Sequence, residues 1–195
     1  MNENESEWLV RAQKGDDQAF ARLVELYQRP VYNLCYRMLG NPGDAEDAAQ
    51  ETFLRAYKNL RRYDSDRPFA TWLLSIASHF CIDQLRKRRA QLLSIEGPLP
   101  AHPALMSENT DGPEEQATAS ERQERVQQLL DTLPDDYKQA VVLRYWYDMS
   151  YEEIAEVMES SVSAIKSRLF RARRQMAEVG TEEGFLPQLE QAAVV

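Results

Sequence analysis

The chain has 195 residues, of which 43% are hydrophobic and 28% are charged, and its formal net charge at pH 7 is -9. This length allows one large or two small domains, and the charged fraction together with only 7 glycines favours helices over sheet. The apolar runs are far shorter than a membrane span, and the acidic N-terminus lacks the basic and apolar parts of a signal peptide, so we expect a cytosolic protein.

The first predicted helix begins at Asp16 and Asp17 and carries an apolar stripe on both sides of Pro30. Pro30 is expected to kink this helix or to split it in two. A second helix is predicted to be capped by Asp44 and to run to Leu60. Its outer face begins with acidic and amide side chains at Asp44, Glu46, Asp47, Gln50 and Glu51. The helix dipole favours acid in a first turn, but so many carboxylates exceed what capping requires, so a docking face for a basic partner is an equal alternative.

A basic and aromatic loop follows, and it leads into a third helix predicted from about Thr71 to Arg89. Exposed aromatic rings among cations are what single-stranded nucleic acid requires, because bases stack on rings and cations follow phosphates. Tyr63, Phe69 and Trp72 are therefore candidates to line a pocket for an unstacked base, with plain core packing as the alternative for each ring. The helix ends in a run of four cations from Arg86 to Arg89, which the helix dipole also favours.

The composition changes between Gln91 and Thr118, where prolines, glycines and acidic residues accumulate. We predict a flexible acidic linker there, joining two small helical domains. Cys35 and Cys81 lie on apolar helical stripes without metal-ligand spacing, so they are predicted to be buried thiols. No Gly-rich phosphate loop, catalytic triad or metal-ligand cluster is recognisable, so neither an enzyme nor a cofactor is expected.

The segment from Ser150 to Met176 is typical of a helix-turn-helix. Ser150 and Glu153 form a capping-box pattern, and Ser161 can cap the next helix. That second helix places its apolar residues on one face and polar or basic residues on the other. A helix of this kind suits the major groove of DNA, where Arg and Lys read guanine edges, and an outward aromatic such as Phe170 suits a thymine methyl or a partner surface. The alternative is a solvated basic helix on a small bundle.

Taken together and in this order, the segments resemble the bacterial sigma factors of the extracytoplasmic-function (ECF) type, in the sigma-70 family. The matching segments are 44–53 (DAEDAAQETF), 69–73 (FATWL), 82–89 (IDQLRKRR), 133–134 (LP), 150–155 (SYEEIA) and 164–173 (AIKSRLFRAR). The resemblance implies an all-α protein of two small helical domains joined by a flexible linker, the C-terminal one a helix-turn-helix. It places sigma region 2 at residues 1–90, the acidic linker at 91–118, region 4 at 119–178 and a tail at 179–195.

The resemblance also implies partners and site residues. The partners are core RNA polymerase, promoter DNA that is double-stranded at the −35 element and melted at the −10 element, and an anti-sigma factor that can hold the protein at the membrane without its insertion. The −35 contacts would be Lys166, Ser167, Arg168, Phe170, Arg171 and Arg174. The −10 contacts would be Tyr63, Arg67, Phe69, Trp72, His79, Asp83, Arg86, Lys87 and Arg88. The polymerase contacts would be Asp44, Glu46, Asp47, Gln50 and Glu51.

Three positions depart from the family pattern. His79 stands where Asn is common, Glu159 where the turn often has Gly, and Ser160 where an apolar residue is usual. If position 159 needs a positive φ, Glu costs on the order of 1 kcal/mol there. Two other functions remain open from the residues: a helix-turn-helix regulator that is not a polymerase subunit, and a helical adaptor that binds only proteins. The net charge of -9 fits the sigma interpretation, because such a protein would bind DNA poorly until it joins polymerase.

Overall fold

The computed structural model describes residues 3–65, 67–94 and 115–182, and the regular elements in these ranges are all helices. The helices are α1 (Glu3–Gln13), α2 (Asp17–Leu39), α3 (Pro42–Asn59), a 3-10 turn (Leu60–Arg62), α4 (Phe69–Ser94), α5 (Glu115–Asp131), α6 (Asp135–Tyr147), α7 (Tyr151–Val157) and α8 (Val162–Glu182). The prediction of an all-α fold is confirmed. The ends of the predicted linker are helical, because α4 extends to Ser94 and α5 begins at Glu115. The remainder of that linker and most of the predicted tail lie outside the described residues.

Short polar side chains cap the N-termini of α2 and α3, although only the cap of α2 is at the expected residue. Asp16 caps α2, accepting hydrogen bonds from the backbone N–H groups of Gln18 and Ala19 at 3.0 and 3.1 Å. The prediction that Asp44 caps α3 is wrong. Asn41 is the cap, and its side-chain oxygen accepts from the Asp44 N–H at 3.1 Å. Pro42 then occupies the first helical turn, where its missing N–H costs nothing.

Pro30 does not split α2, which continues from Asp17 to Leu39. A proline inside a helix removes one backbone hydrogen bond and crowds the preceding turn, so the surrounding packing must offset the loss. Buried side chains follow directly after it at Val31, Leu34, Cys35 and Met38. The carbonyl of Pro30 also accepts a hydrogen bond from the Tyr147 hydroxyl at 2.6 Å, which ties this part of α2 to α6.

Helix α1 was not predicted from the sequence. Its Leu9 and Ala12 are buried, three residues apart, and it packs against α2. Glu5 is also buried, and its carboxylate accepts a hydrogen bond from the Tyr27 hydroxyl at 2.6 Å. Burial raises the pKa of Tyr27, and the hydrogen bond to the Glu5 carboxylate raises it further. The acidic N-terminal segment is therefore part of the first helical layer.

Helices α1 to α4 form the first half of the protein around a core that α2 crosses. Helix α3 has small, completely buried residues at Ala45, Ala48 and Ala56. These residues allow α2 and α4 to pack closely against α3. Cys35 on α2 and Cys81 on α4 are both buried and free, as predicted. A hydrogen bond between the two thiols and burial raise the pKa of Cys81, so the Cys81 sulfur is held in the neutral form.

Helices α5 to α8 form the second half, and the predicted apolar stripe of α8 is its core. Ile165, Leu169, Ala172 and Met176 are all buried, and they meet α6, α7 and α5. The two halves are in contact, because α6 packs on both α2 and α4 and α7 packs on α4. In the ranges described, no helix combines the length and apolar character needed to cross a membrane.

Candidate nucleic-acid interfaces

The turn between α7 and α8 is fixed by side-chain caps at both helices. The Ser150 hydroxyl accepts from the Glu153 N–H at 3.1 Å, and the Glu153 carboxylate accepts from the Ser150 N–H at 2.8 Å, so the predicted capping box is present. Ser161 caps α8 by accepting from the Ala164 N–H at 3.2 Å. Glu159 has φ 47°, so this turn does require the left-handed backbone that the sequence departure suggested. The turn sets the angle at which α8 leaves α7.

Helix α8 presents the predicted outer face to solvent. Phe170 is 61% exposed, a large fraction for an aromatic ring with no role in the core. The polar and basic side chains around it are exposed as well: Lys166, Ser167, Arg171 and Arg174. Since the opposite face of α8 is buried, the helix is held rigidly while this surface remains accessible to a groove or a partner.

Neighbouring aromatic rings position two of these cations. Two cations lie over the ring of Tyr151: the Lys166 Nζ is 5.6 Å from the ring centroid, and the guanidinium carbon of Arg144 is 5.2 Å from it. Arg171 donates to the Tyr137 hydroxyl at 3.4 Å, and this hydrogen bond raises the pKa of Arg171. Helical spacing predicts only a core role for Tyr151, and no sequence pattern indicated its contact with Lys166.

Arg168 differs from the other residues predicted for the −35 element. Its side chain is 25% exposed, and it donates to the Ser160 hydroxyl at 2.9 Å and lies 3.7 Å from the Asp136 carboxylate. Ser160 also donates its backbone N–H to the Ala155 carbonyl at 2.8 Å. The polar Ser160, at a position where an apolar residue is usual, therefore makes hydrogen bonds through both its backbone and its side chain.

Two rings predicted to line a base pocket lie instead in the core of the first half. Tyr63 is 6% exposed and Phe69 is 1% exposed, and their ring centroids are 5.5 Å apart. The Tyr63 hydroxyl donates to the carbonyl of Arg67, which closes the loop before α4. For these two rings the alternative of plain core packing is therefore the one observed, because the loop folds inward to complete the aromatic cluster with Tyr27. Their contact with the −10 element stays a prediction.

A cavity of about 390 Å³ does open on this side of the first half. Its lining includes Trp72 and His79, both predicted for the −10 element. The lining is completed by Arg55, Asn59, Arg62 and Ile76, none of which was predicted to be a site residue. Arg62 lies in the basic loop, and Arg55 lies about two helical turns earlier, on α3, so helical spacing from that loop was the available signal. The cavity combines cations with an aromatic wall.

The remaining residues predicted for the −10 element line the exposed side of α4. Asp83, Arg86 and Lys87 are exposed, and Arg88 is partly exposed. Arg88 lies 2.5 Å from the Asp44 carboxylate and so joins the end of α4 to the start of α3. Several of these residues contact the second half: Arg67 is 2.5 Å from Glu156, Arg86 is 4.0 Å from Asp136, and the His79 Nε2 is 2.5 Å from the Val157 carbonyl.

The acidic face of α3 is present as predicted. Glu46, Asp47 and Gln50 are exposed, while Asp44 and Glu51 are partly exposed. Glu51 pairs with Arg55 at 2.7 Å, which lowers the pKa of Glu51. Glu46, Asp47 and Gln50 thus form an exposed acidic patch on α3. Among the residues that the structure describes, no group of three or more His, Cys, Asp or Glu side chains could hold a metal ion.

Two family models match the chain. Sigma-70 region 2 matches residues 23–91, and Sigma-70, region 4 matches residues 123–176. Among curated proteins, the chain is 38% identical to the ECF RNA polymerase sigma factor SigW of Bacillus subtilis, over 86% of this chain and 92% of that protein. It is 34% identical to the RNA polymerase sigma-H factor of Pseudomonas aeruginosa, over 88% and 91%. It is 35% identical to the ECF RNA polymerase sigma-E factor of Escherichia coli K12, over 84% and 87%.

Solved structures show the same fold. CnrH, determined in complex with the cytosolic domain of CnrY, is 25% identical and superimposes with a TM-score of 0.66, over 91% of this chain and 97% of that chain. RpoE of Bartonella quintana, determined with the anti-sigma factor NepR, is 22% identical, with a TM-score of 0.64 over 82% and 94%. Both comparisons extend across the first and the second half.

Proposed function

The chain belongs to the extracytoplasmic-function sigma factors of the sigma-70 family, and from this premise we propose how its surfaces share the work of promoter selection. As a member of that family it is a transcription initiation factor and not an enzyme. It binds core RNA polymerase and directs it to promoters. The likeness covers both halves in order, which favours this function over a helix-turn-helix regulator or a protein-only adaptor.

We propose that α8 reads the −35 element in the major groove through Lys166, Ser167, Phe170 and Arg171, with Arg174 on the adjacent phosphates. The observation that carries this proposal is the exposure of Phe170 on a helix whose other face is buried. Tyr151 and Tyr137 hold Lys166 and Arg171 in place, which reduces the entropy lost when DNA binds. Arg168 supports the turn through Ser160 and reaches the DNA backbone at most.

Transcription in vitro with core polymerase tests this assignment. A good contact between a cation and a base is worth about 1–3 kcal/mol, so Lys166→Ala with Arg171→Ala should lower promoter-specific transcripts by at least about tenfold. Lys14→Ala with Arg22→Ala is the matched control, because both side chains are exposed on the first half and the charge change is equal. Equal transcription by the two double variants would remove α8 from promoter reading.

We propose that the first half holds the melted −10 strand along α4. Trp72 and His79 would meet an unpaired base at the cavity, and Arg67, Arg86, Lys87 and Arg88 would follow the phosphates, with Asp83 facing the bases. Stacking of a base on a ring is worth about 1–3 kcal/mol, which offsets the few kcal/mol needed to unstack it. Tyr63 and Phe69 would take part only if the loop before α4 opens when DNA binds.

The acidic patch on α3 is proposed as the docking surface for core polymerase. Acidic side chains suit a basic partner surface, and charge complementarity raises the association rate more than the affinity. Asp47→Lys should therefore slow the association of the chain with core polymerase and make it insensitive to salt. Glu124→Lys, an equal charge reversal on exposed α5, should leave association unchanged. Equal effects of both variants would contradict the assignment.

Regulation by an anti-sigma factor is proposed from CnrH, which was solved with the cytosolic domain of CnrY. We further propose that the chain works in the bacterial cytoplasm and is held at the membrane only through such a partner. Deleting the partner gene should then move the protein from the membrane fraction to the soluble fraction without changing its total amount. A chain that stays with membranes in every partner deletion would contradict this.

A further inference from the structure

Gln13, the last residue of α1, is bonded to the turn that leads from α3 towards α4. Its side-chain amide donates to the carbonyl of Leu60 at 3.3 Å and to the carbonyl of Tyr63 at 3.0 Å. These carbonyls lie at the first residue of the 3-10 turn (Leu60–Arg62) and at the residue directly after it. One amide group therefore holds both ends of a turn that follows it by 47 and 50 residues in the chain.

The end of α1 is itself fixed, so Gln13 is a firm support for the turn. Leu9 and Ala12 on the same helix are buried. The Arg11 guanidinium donates to the Asp16 carboxylate at 2.9 Å, and Asp16 also caps α2. The two hydrogen bonds of Gln13 are partly buried, which strengthens them relative to bonds in open water.

The bond from Gln13 to Leu60 is not needed to satisfy a lone carbonyl. The Leu60 carbonyl already accepts the backbone N–H of Tyr63 at 3.1 Å. A single 3-10 turn has poorer hydrogen-bond geometry than an α-helix and gains little stability from its own bonds. The amide of Gln13 therefore serves to fix where the turn lies.

The position of this turn decides where two groups of the cavity lie. Arg62 is the last residue of the turn, and it lines the cavity of about 390 Å³ together with Trp72. The ring of Tyr63 is buried, and its centroid lies 5.0 Å from that of Trp72. Because packed side chains transmit small shifts to their neighbours, a displaced turn would move both cavity groups.

We propose that Gln13 is a positioning residue for −10 recognition, which holds the Leu60–Arg62 turn so that Arg62 and Trp72 meet the melted strand in a fixed arrangement. The inference rests on the proposed role of the cavity in −10 binding. Groups that are already ordered lose less entropy when a ligand binds, so the fixed turn favours the melted strand. Gln13 acts only through the turn, and it lies outside the segment matched by Sigma-70 region 2, which begins at residue 23.

The variant Gln13→Met tests this role. Methionine has about the length and shape of glutamine but no N–H donor, so packing is retained while both hydrogen bonds are lost. Gln28→Met is the matched control, since Gln28 is exposed on α2. The full chain is assembled with core polymerase on a duplex promoter chosen from the start sites that the unaltered chain creates. Permanganate, which oxidises unstacked thymines, follows the opening of the −10 element with time.

Gln13→Met should slow the step from the initial complex to the open complex by about three- to tenfold relative to Gln28→Met, the range that one ordinary hydrogen bond allows. Initial binding to the closed promoter should be equal for the two variants, because −35 reading and polymerase docking use α8 and α3. A merely structural role of Gln13 would change both steps together. Equal opening rates, or equal losses in both steps, would overturn the proposal.

A second variant restores the donor. The ammonium group of Gln13→Lys can donate to both carbonyls, so this chain should open the promoter faster than Gln13→Met. Gln28→Lys corrects for the added charge. If Gln13→Lys gains no more over Gln13→Met than Gln28→Lys gains over Gln28→Met, hydrogen bonding at this position does not position the turn.

Trp72→Ala distinguishes a failure of this inference from a failure of the proposed −10 site. If Trp72→Ala opens the promoter as fast as the unaltered chain, the proposed role of the cavity fails. If Trp72→Ala slows opening but Gln13→Met does not, only the role of Gln13 fails.

Discussion

Replacing Glu159 by glycine should stabilise the helix-turn-helix. Glu159 sits in the turn at φ 47°, where the Cβ of an L-residue approaches the following carbonyl at a cost of roughly 1–2 kcal/mol. Glycine removes that cost but gains about 0.4–1 kcal/mol of conformational entropy in the unfolded chain, which opposes the gain. The net expectation is a stabilisation of about 0.5–1 kcal/mol, or a rise in Tm of roughly 1–4 °C for a chain of this size.

The assay is urea denaturation monitored by circular dichroism, which measures the free energy of unfolding, with Glu152→Gly as the control. Glu152 is an exposed glutamate in the first turn of α7, where the backbone is helical. Glycine there should lower the free energy of unfolding by up to about 1 kcal/mol, so the two variants should have opposite signs. A loss of stability in Glu159→Gly as large as that in Glu152→Gly would refute the assignment of strain to the positive φ.

Three further results are expected. Ile165→Ala should destabilise the chain by about 2–5 kcal/mol in urea titrations, because Ile165 is fully buried, whereas Leu54→Ala on an exposed position should change stability by less than about 0.5 kcal/mol. Ser150→Ala should cost about 0.5–2 kcal/mol through loss of the capping box, and Ser163→Ala on exposed α8 should cost little; equal losses would contradict the cap. Cys35 and Cys81 should react with a thiol reagent only after denaturation, since both thiols are buried and, for Cys81, the hydrogen bond to Cys35 and burial also raise the pKa; rapid modification of the native chain would contradict the packing.

The periodic segments of the second half were predictable because local chemistry and burial agree there. The capping box at Ser150 and the apolar stripe of α8 each follow from residue spacing alone, and both are present. The positive φ at Glu159 was expected only from the family resemblance, since nothing about a glutamate itself favours that backbone.

The first half departed from expectation where tertiary packing overrode local signals. Pro30 would end an isolated helix, but α2 continues because its next turn is buried and its carbonyl is bonded to Tyr147. Helix α1 was not predicted because its short apolar stripe lies in an acidic segment, and its stability comes from packing on α2.

The candidate −10 site shows the same limit. Aromatic residues in a basic loop predict either base stacking or core packing, and residue type does not separate the two. Tyr63 and Phe69 pack together in the core, while Trp72 lines the cavity. Contacts between the halves, such as that of His79 with Val157, join residues far apart in the chain and had no signal in the sequence.

The most direct test of the account is to map the 5′ ends of transcripts made by core polymerase on a fragmented genomic library, with and without the chain. We expect the chain to create a set of new start sites that share two sequence elements at fixed spacing, and the Lys166→Ala, Arg171→Ala variant to lose them. Start sites that are the same with and without the bound chain would contradict the account.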